Sequence, residues 1–179
     1  VLHGLDRFLF GEFLQSLPHP LRTLGSSAGA WRLCCLATTD PVAAIDRLAT
    51  LYSRERYSEQ PTIDEITEKA KAMVAAVLGE NGPQEIAENR RFLTHVVADR
   101  ARGFGSSHRK WLQGLSLGLA MGSNVVSRRS LSLFLERTVF TNSRAPLPEY
   151  WQDLRTCKAE LRTDNVLDVM LASGSIPFV

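Results

Sequence analysis

Along the first segment the apolar residues Leu2, Leu5, Phe8, Leu9, Phe13 and Leu17 recur at helical spacing, with Asp6, Arg7, Glu12 and Gln15 between them. That pattern predicts an amphipathic helix over Leu2 to Leu17 with those apolar positions facing inward. Pro18-His19-Pro20 must end it, because proline lacks an amide and clashes with the preceding turn. Leu21-Arg22-Thr23-Leu24 then reads as a short extended run that meets Gly25. After Ser27 the residues turn small and then apolar, through Ala28, Gly29, Ala30, Trp31, Leu33, Cys34, Cys35 and Leu36, as a buried helix requires. The local order is helix, strand, tight glycine turn, helix.

Residues 40–160 read as a helix-rich middle. Asp40 caps and Pro41 opens a helix to about Tyr52, since proline is tolerated where the amide has no partner anyway. Thr62 and Glu65 form a capping-box pattern ahead of apolar positions 63, 66, 70, 73, 74, 77 and 78, and Gly79 stands where a C-cap belongs. A helix from about Pro83 to Arg100, with Ile86, Leu93, Val96 and Val97 on one face, places His95 in that helix. Further helices are expected over Arg128 to Thr138 and over Asp164 to Ser173, the last with Val166, Leu167, Met170 and Leu171 inward and Asp164 as its cap. Few segments alternate with period two, so the strands are expected to be short and the sheet covered by helices. The fold class that results is α/β.

Length and composition narrow this only by exclusion. The chain has 179 residues, 44% hydrophobic and 22% charged, which suits one globular domain and excludes disordered, collagen-like and coiled-coil classes. The most apolar run, Leu115 to Val126, is interrupted by Ser116, Gly118, Gly122, Ser123 and Asn124, short of the about 18 residues a membrane span needs. A start at Val1 and an end at the apolar Ile176-Pro177-Phe178-Val179 suggest an interior piece of a longer chain. Cys34, Cys35 and Cys157 offer no CxxC pair and no zinc spacing, so free buried thiols, no metal, and a soluble protein of a reducing, cytoplasmic compartment are expected.

The net charge of +2 conceals an uneven distribution. Residues 1–89 carry 8 basic and 12 acidic side chains, residues 90–137 carry 9 and 2, and residues 138–179 carry 4 and 5. The basic middle (Arg90, Arg91, Arg100, Arg102, Arg109, Lys110, Arg128, Arg129, Arg137) suits an anionic lipid surface or nucleic acid if its members share one face. The simpler reading is a set of solvated helix faces.

Gly25-Ser26-Ser27-Ala28-Gly29 reads G-x-S-x-G. A serine nucleophile at the apex of a strand-to-helix turn needs strained backbone and almost no neighbouring side chain, which glycines two before and two after supply. The following helix points its positive end at a developing oxyanion, to which the Ala28 amide can donate. A second match, Gly114-Leu115-Ser116-Leu117-Gly118, lies in an apolar stretch without a strand-then-cap transition, so context favours Ser27.

GSSAGA, after a short apolar run and before an apolar helix, resembles the nucleophile elbow of patatin-like phospholipases. Leu171-Ala172-Ser173-Gly174-Ser175-Ile176-Pro177-Phe178 resembles the segment that precedes the catalytic aspartate in that family. The close match covers about a fifth of the chain, with the elbow in 21–38 and the second segment in 164–179. The resemblance implies a three-layer fold, of which residues 1–179 are a single partial domain, and a cofactor-free serine acyl hydrolase acting on phospholipid or other lipid esters. It implies Ser27 as nucleophile, Ala28 as oxyanion donor, and Gly25 and Gly29 as the elbow glycines. The partner base would be an aspartate in a D-G-G or D-G-A motif beyond Val179, and the glycine-rich oxyanion loop would precede residue 1. The partners it implies are the lipid substrate and a peripheral membrane contact, with no nucleic acid.

Two other function classes compete. An acyltransferase would pair the elbow serine with a downstream histidine, and His95 and His108 are the histidines that follow Ser27. A non-catalytic helical binding module would use GSSAG merely as a packing turn. Asp164 and Asp168 read as a helix cap and a helix-face residue rather than catalytic acids. Trp31, within one helical turn of the elbow, is a candidate wall for an acyl pocket, whereas Trp111 and Trp151 read as core.

Overall fold

A computed structural model describes residues 2–102, 115, 118, 119, 122, 128–144, 147 and 154–175. Four strands, β1 (Leu21–Ser26), β2 (Phe92–Ala101), β3 (Leu135–Thr141) and β4 (Thr156–Glu160), form one mixed sheet in the order β1-β2-β3-β4. β1 and β2 are parallel, β2 and β3 antiparallel, and β3 and β4 parallel. The helices whose bounds are described include α1 (His3–Phe8), α2 (Leu14–Ser16), α3 (Ala28–Leu36), α4 (Pro41–Arg54), α5 (Ile63–Leu78), α6 (Gly82–Glu88) and α7 (Val166–Gly174). The α/β class is as expected.

The core lies between the sheet and one helical layer. Ala30, Cys34 and Leu36 of α3, Ile45 and Leu48 of α4, Val74 and Val77 of α5, and Val166 and Met170 of α7 pack with Phe92 and Val96 of β2. Leu21 and Phe140, on the same sheet face, join that cluster. The opposite face carries the exposed Arg22 and Leu24 and the half-buried Leu93, His95 and Val97. Among the described residues the arrangement is therefore two-layered, in contrast to the three layers expected.

The N-terminal helix forms as its spacing predicts, running from α1 through a π-helical turn (Leu9–Phe13) into α2. Its orientation matches the expected one only in part: Arg7, Glu12 and Gln15 are exposed and Leu9 packs against the core, as expected, but other positions are not placed as read. Leu2, Leu5, Phe8 and Phe13 are about half exposed, whereas Asp6 and Phe10 are buried. Two contacts select this face. Gly11 packs so closely on α4 that a Cβ there would lie 2.7 Å from Val42 Cγ2, and the Asp6 carboxylate is bound by Arg32 of α3. Arg91 then ties the end of α2 to β2, one guanidinium nitrogen donating to the carbonyls of Leu14, Gln15 and Leu17. Those carbonyls have no intrahelical donor, so a cation there is favourable.

The start signals of α4 and α5 behave as read. Asp40 accepts from the Ala43 amide and Thr62 from the Glu65 amide. The reciprocal half of the capping box does not form, because the Glu65 carboxylate is engaged by the amide and hydroxyl of Ser58 and by Lys69. The Ser58 hydrogen bonds, with help from Lys69, lower its pKa to about 2. Gly79 caps the end of α5 with φ 68°, a positive value that glycine adopts at little cost.

The expected helix over 83–100 is instead α6 followed by β2, and His95 belongs to the strand. Asn89 makes the break: its side chain accepts from the amides of Arg91 and Phe92 and donates to Ala37 O. Beyond it, Phe92, Thr94, Val96 and Ala98 are buried in alternation, the period of a strand. The expected helix over 128–138 is likewise a short 3-10 turn (Arg128–Leu133) leading into β3, and β4 completes a middle section with more sheet than its pattern announced. Buried Asn142 stitches β3 back to this region, accepting from the Thr94 amide and donating to Ile86 O. α7 starts two residues later than expected, and Asp164 is no cap but pairs with Arg162.

Candidate active site

β1 and β2 run parallel with Ser26 opposite Val97, so Ser27 stands at the carboxyl end of a parallel pair, where α/β sheets place their ligands. Ser27 is the N-cap of α3 and has φ 53° and ψ −137°. Among the described residues it is the one non-glycine with positive φ. Such a conformation costs a side-chain-bearing residue about 1–3 kcal/mol and persists only where its surroundings hold it.

Three features hold it. Gly25 is buried beneath α3, where a Cβ would lie 2.7 Å from Ala30 Cα and N and 2.9 Å from Gly29 C. The Ser27 carbonyl accepts from the amides of Ala30 (2.9 Å) and Trp31 (3.2 Å), which starts α3 without a side-chain cap. The Ser27 amide donates to Ser173 Oγ at 2.9 Å, and Ser173 Oγ donates to Val97 O at 2.6 Å. Ser173 thereby links the turn, β2 and α7 through one hydroxyl. Gly29 has no comparable reason to be glycine, since a Cβ there would meet nothing within 4 Å. The expectation that both elbow glycines relieve clashes holds for Gly25 and fails for Gly29.

Ser27 and Ala28 are exposed. The first amides of α3, including that of Ala28, have no intrahelical acceptor, so a positive helix end lies beside the serine hydroxyl. Among the described residues no carboxylate or imidazole is hydrogen-bonded to that hydroxyl.

The two segments that carry the family resemblance meet here. Besides Ser173, Trp31 donates from Nε1 to Met170 O at 2.8 Å, and Gly174 lies so close that a Cβ on it would sit 3.0 Å from the indole ring. The Ser27–Ser173 contact spans 146 residues, and no local pattern announces it. Ile176–Val179 lie outside the described residues.

Ala28 and Trp31 also line a cleft of about 540 Å³ between α1, α3 and α4. Ile45, Leu48, Ala49 and Tyr52 form most of its apolar wall, while Asp6, Arg32 and His3 form a polar corner. Arg32 Nε and Nη2 donate to the two Asp6 oxygens at 2.8 and 2.5 Å. Its hydrogen bond to Asp6 raises the Arg32 pKa further above its ordinary value. At the rim, His3 Nε2 is 2.6 Å from Asp46 Oδ1, and Arg7 bonds the other oxygen. The Arg7 bond, then that of His3, holds Asp46 below the usual carboxylate range. Trp31 thus borders the space next to the serine, as its position after the elbow suggested. Arg32 and Asp6 were missed, although Arg32 lies one helical turn beyond Ala28.

The other candidates fall elsewhere. His95 is half-buried on β2 with Nδ1 near two carbonyl oxygens, Thr23 O at 3.0 Å and Leu93 O at 2.9 Å, so that nitrogen donates. His108, Ser116, Trp111 and Trp151 lie outside the described residues. Asp168 is exposed on α7. The basic residues do not all share one place: Arg91 and Arg100 lie nine residues apart on or beside β2, roughly 30 Å at strand rise. Arg137 and Arg102 lie near Arg100 where β2 pairs with β3, and Arg109 and Lys110 lie outside the described residues. Arg91 is moreover spent on the end of α2.

Cys34 and Cys35 are buried free thiols in the core of α3, as expected, whereas Cys157 on β4 is free but only half-buried. Among the described residues no cluster of His, Cys, Asp or Glu is placed to hold a metal, and no helix is long and apolar enough to cross a membrane. No family model, curated protein or solved structure matches the chain.

Proposed function

We propose that this chain carries the nucleophile elbow of a serine acyl hydrolase acting on phospholipid or other lipid esters. The observation that carries the reading is the conformation of Ser27: an exposed serine held at positive φ between a parallel strand and a helix N-terminus, beside an apolar cleft. A turn that served packing alone gains nothing from a side chain in a conformation that glycine adopts without strain. In the proposed reaction Ser27 Oγ attacks the ester carbonyl, the alcohol leaves with the serine's proton delivered through a general base, and water releases the acid from the acyl-enzyme. The Ala28 amide donates to the oxyanion. On the patatin-like resemblance the base is an aspartate beyond Val179, giving a Ser-Asp dyad. A Ser-His acyltransferase is the rival enzyme reading; the Nδ1 contacts of His95 with strand carbonyls give it no support.

A fluorophosphonate probe tests this on the full-length protein. Peptide mapping should find the label on Ser27, and Ser27→Ala should abolish it together with hydrolysis of medium-chain esters. A folded full-length protein that takes no label would overturn both enzyme readings and leave the binding module.

A further inference from the structure

The cleft beside Ser27 has the wall of an alkyl-chain site and one cationic group, Arg32. We propose that Arg32 is a specificity residue that receives an anionic group of the ligand, so that the cleft takes amphiphiles with a negative head in preference to neutral ones. This rests on the acyl-hydrolase reading for its place in a reaction, but not for its chemistry.

Three observations point to a recognition role. First, placement: Ala28 and Arg32 are four residues apart on α3, hence neighbours on one face with Cβ atoms about 6 Å apart, and both line the cleft. A group held by Arg32 is one helical turn from the amide that faces the reacting carbonyl.

Second, valence: Arg32 uses Nε and one hydrogen of Nη2 on Asp6, which leaves Nη1 without a protein partner among the described residues. A guanidinium has five donors in a fixed fork, and the unused ones suit phosphate or carboxylate oxygens. Third, preorganisation: the Asp6 side chain is 3% exposed and that of Arg32 33%. The buried carboxylate fixes a cation that itself reaches the open space. A bond made only to tie α1 to α3 would not require the donor to line the cleft, and apolar pairs serve that purpose as well as buried ion pairs do. Asp6 also lowers the local net charge, so Arg32 acts through directed hydrogen bonds more than through long-range attraction.

Isothermal titration of the full-length protein with decyl phosphate, decanoate and decanol below their micelle concentrations tests the proposal. Both anions should bind roughly tenfold or more tightly than decanol, the worth of a charge-assisted hydrogen bond. The relative affinities of phosphate and carboxylate identify which head the fork prefers. Arg32→Gln should remove the preference while leaving decanol affinity within about twofold, and Arg32→Lys should retain part of it. Unchanged anion affinity in Arg32→Gln, or equal losses for all three ligands in both variants, would overturn the proposal. Anion binding through Arg32 in a protein whose Ser27 takes no fluorophosphonate would instead sink the hydrolase reading alone.

Discussion

Replacing Ser173 with alanine removes a side chain that joins the strained turn to the sheet and to α7. The hydroxyl accepts from the Ser27 amide at 2.9 Å and donates to Val97 O at 2.6 Å, and Ser173 is 8% exposed. Each such bond contributes about 1 kcal/mol net, and more where the abandoned partner stays out of water. Ser27 is exposed, so its amide can be rehydrated; Val97 is half-buried and its carbonyl less easily so. The expected loss is about 2 kcal/mol, or about 4–8 °C in Tm for a domain of this size. Urea unfolding followed by fluorescence and circular dichroism measures it, with the m-value checking that the same surface is exposed.

A second effect follows from position rather than from energy. Without its acceptor the Ser27 amide no longer opposes relaxation of φ toward negative values, so the serine hydroxyl should be presented less accurately. Fluorophosphonate labelling of Ser27 should slow by about tenfold or more, beyond what the unfolded fraction explains. Ser173→Cys, which keeps the volume but is a weak hydrogen-bonding group, should fall between wild type and alanine. A stability change within about 0.5 kcal/mol, with unaltered labelling, would refute the claim that Ser173 holds the turn.

Two further outcomes separate the elements of the site. Gly25→Ala should cost at least about 1–3 kcal/mol, because the new methyl would meet backbone atoms of α3 that cannot rotate aside; Gly29→Ala should be neutral or stabilising by up to about 1 kcal/mol, since a Cβ there meets nothing and glycine is a poor helix former. Comparing their urea midpoints checks the pair. Burial pushes the Cys34 thiol up and that of Cys35 to about 12. These thiols stay neutral in the native state while unfolded ones ionise near pH 8.5, so stability should be full below that pH and decline toward pH 12. A native protein whose urea midpoint is flat between about pH 8 and about pH 10.5, a window that begins near the unfolded thiol value, would contradict it.

What was legible in the sequence is what local chemistry decides. The caps Asp40 and Thr62 contact amides three residues ahead, Gly79 stops α5, and the strand-to-helix turn at Ser27 is marked by Gly25 two residues before it. The misreadings share a different cause. Leu93, Val96 and Val97 satisfy a helical period, while Phe92, Thr94, Val96 and Ala98 satisfy a strand period in the same ten residues; pairing with β1 and β3 selects the second. The first helix buries Asp6, which reads as a surface residue, and leaves Leu2, Leu5, Phe8 and Phe13 half exposed, because a cation 26 positions away binds that carboxylate. The link from Ser27 to Ser173 is longer still, and only the side-by-side resemblance of two separate segments to one family hinted at it.

The turn and the cleft explain one another through α3. Gly25 lets the helix descend onto β1, and that descent fixes where the helix begins, which is what puts Ser27 into its strained conformation. The same helix carries Ala28, Trp31 and Arg32 along successive positions into the cleft, while its other side, with Cys34, Cys35 and Leu36, is sealed in the core. A rigid apolar anchor on one side and a strained polar apex at the end is how a fold can hold one residue out of its preferred geometry without yielding elsewhere. Strain of about 1–3 kcal/mol at one residue is small against the burial of α3, whose three residues Cys34, Cys35 and Leu36 are fully enclosed. Stability of the helix and distortion of the serine are therefore not competing features. The first supplies the leverage for the second, and a strained, exposed serine next to a cleft-lining residue, Ala28, is the physical reason to look for chemistry at Ser27.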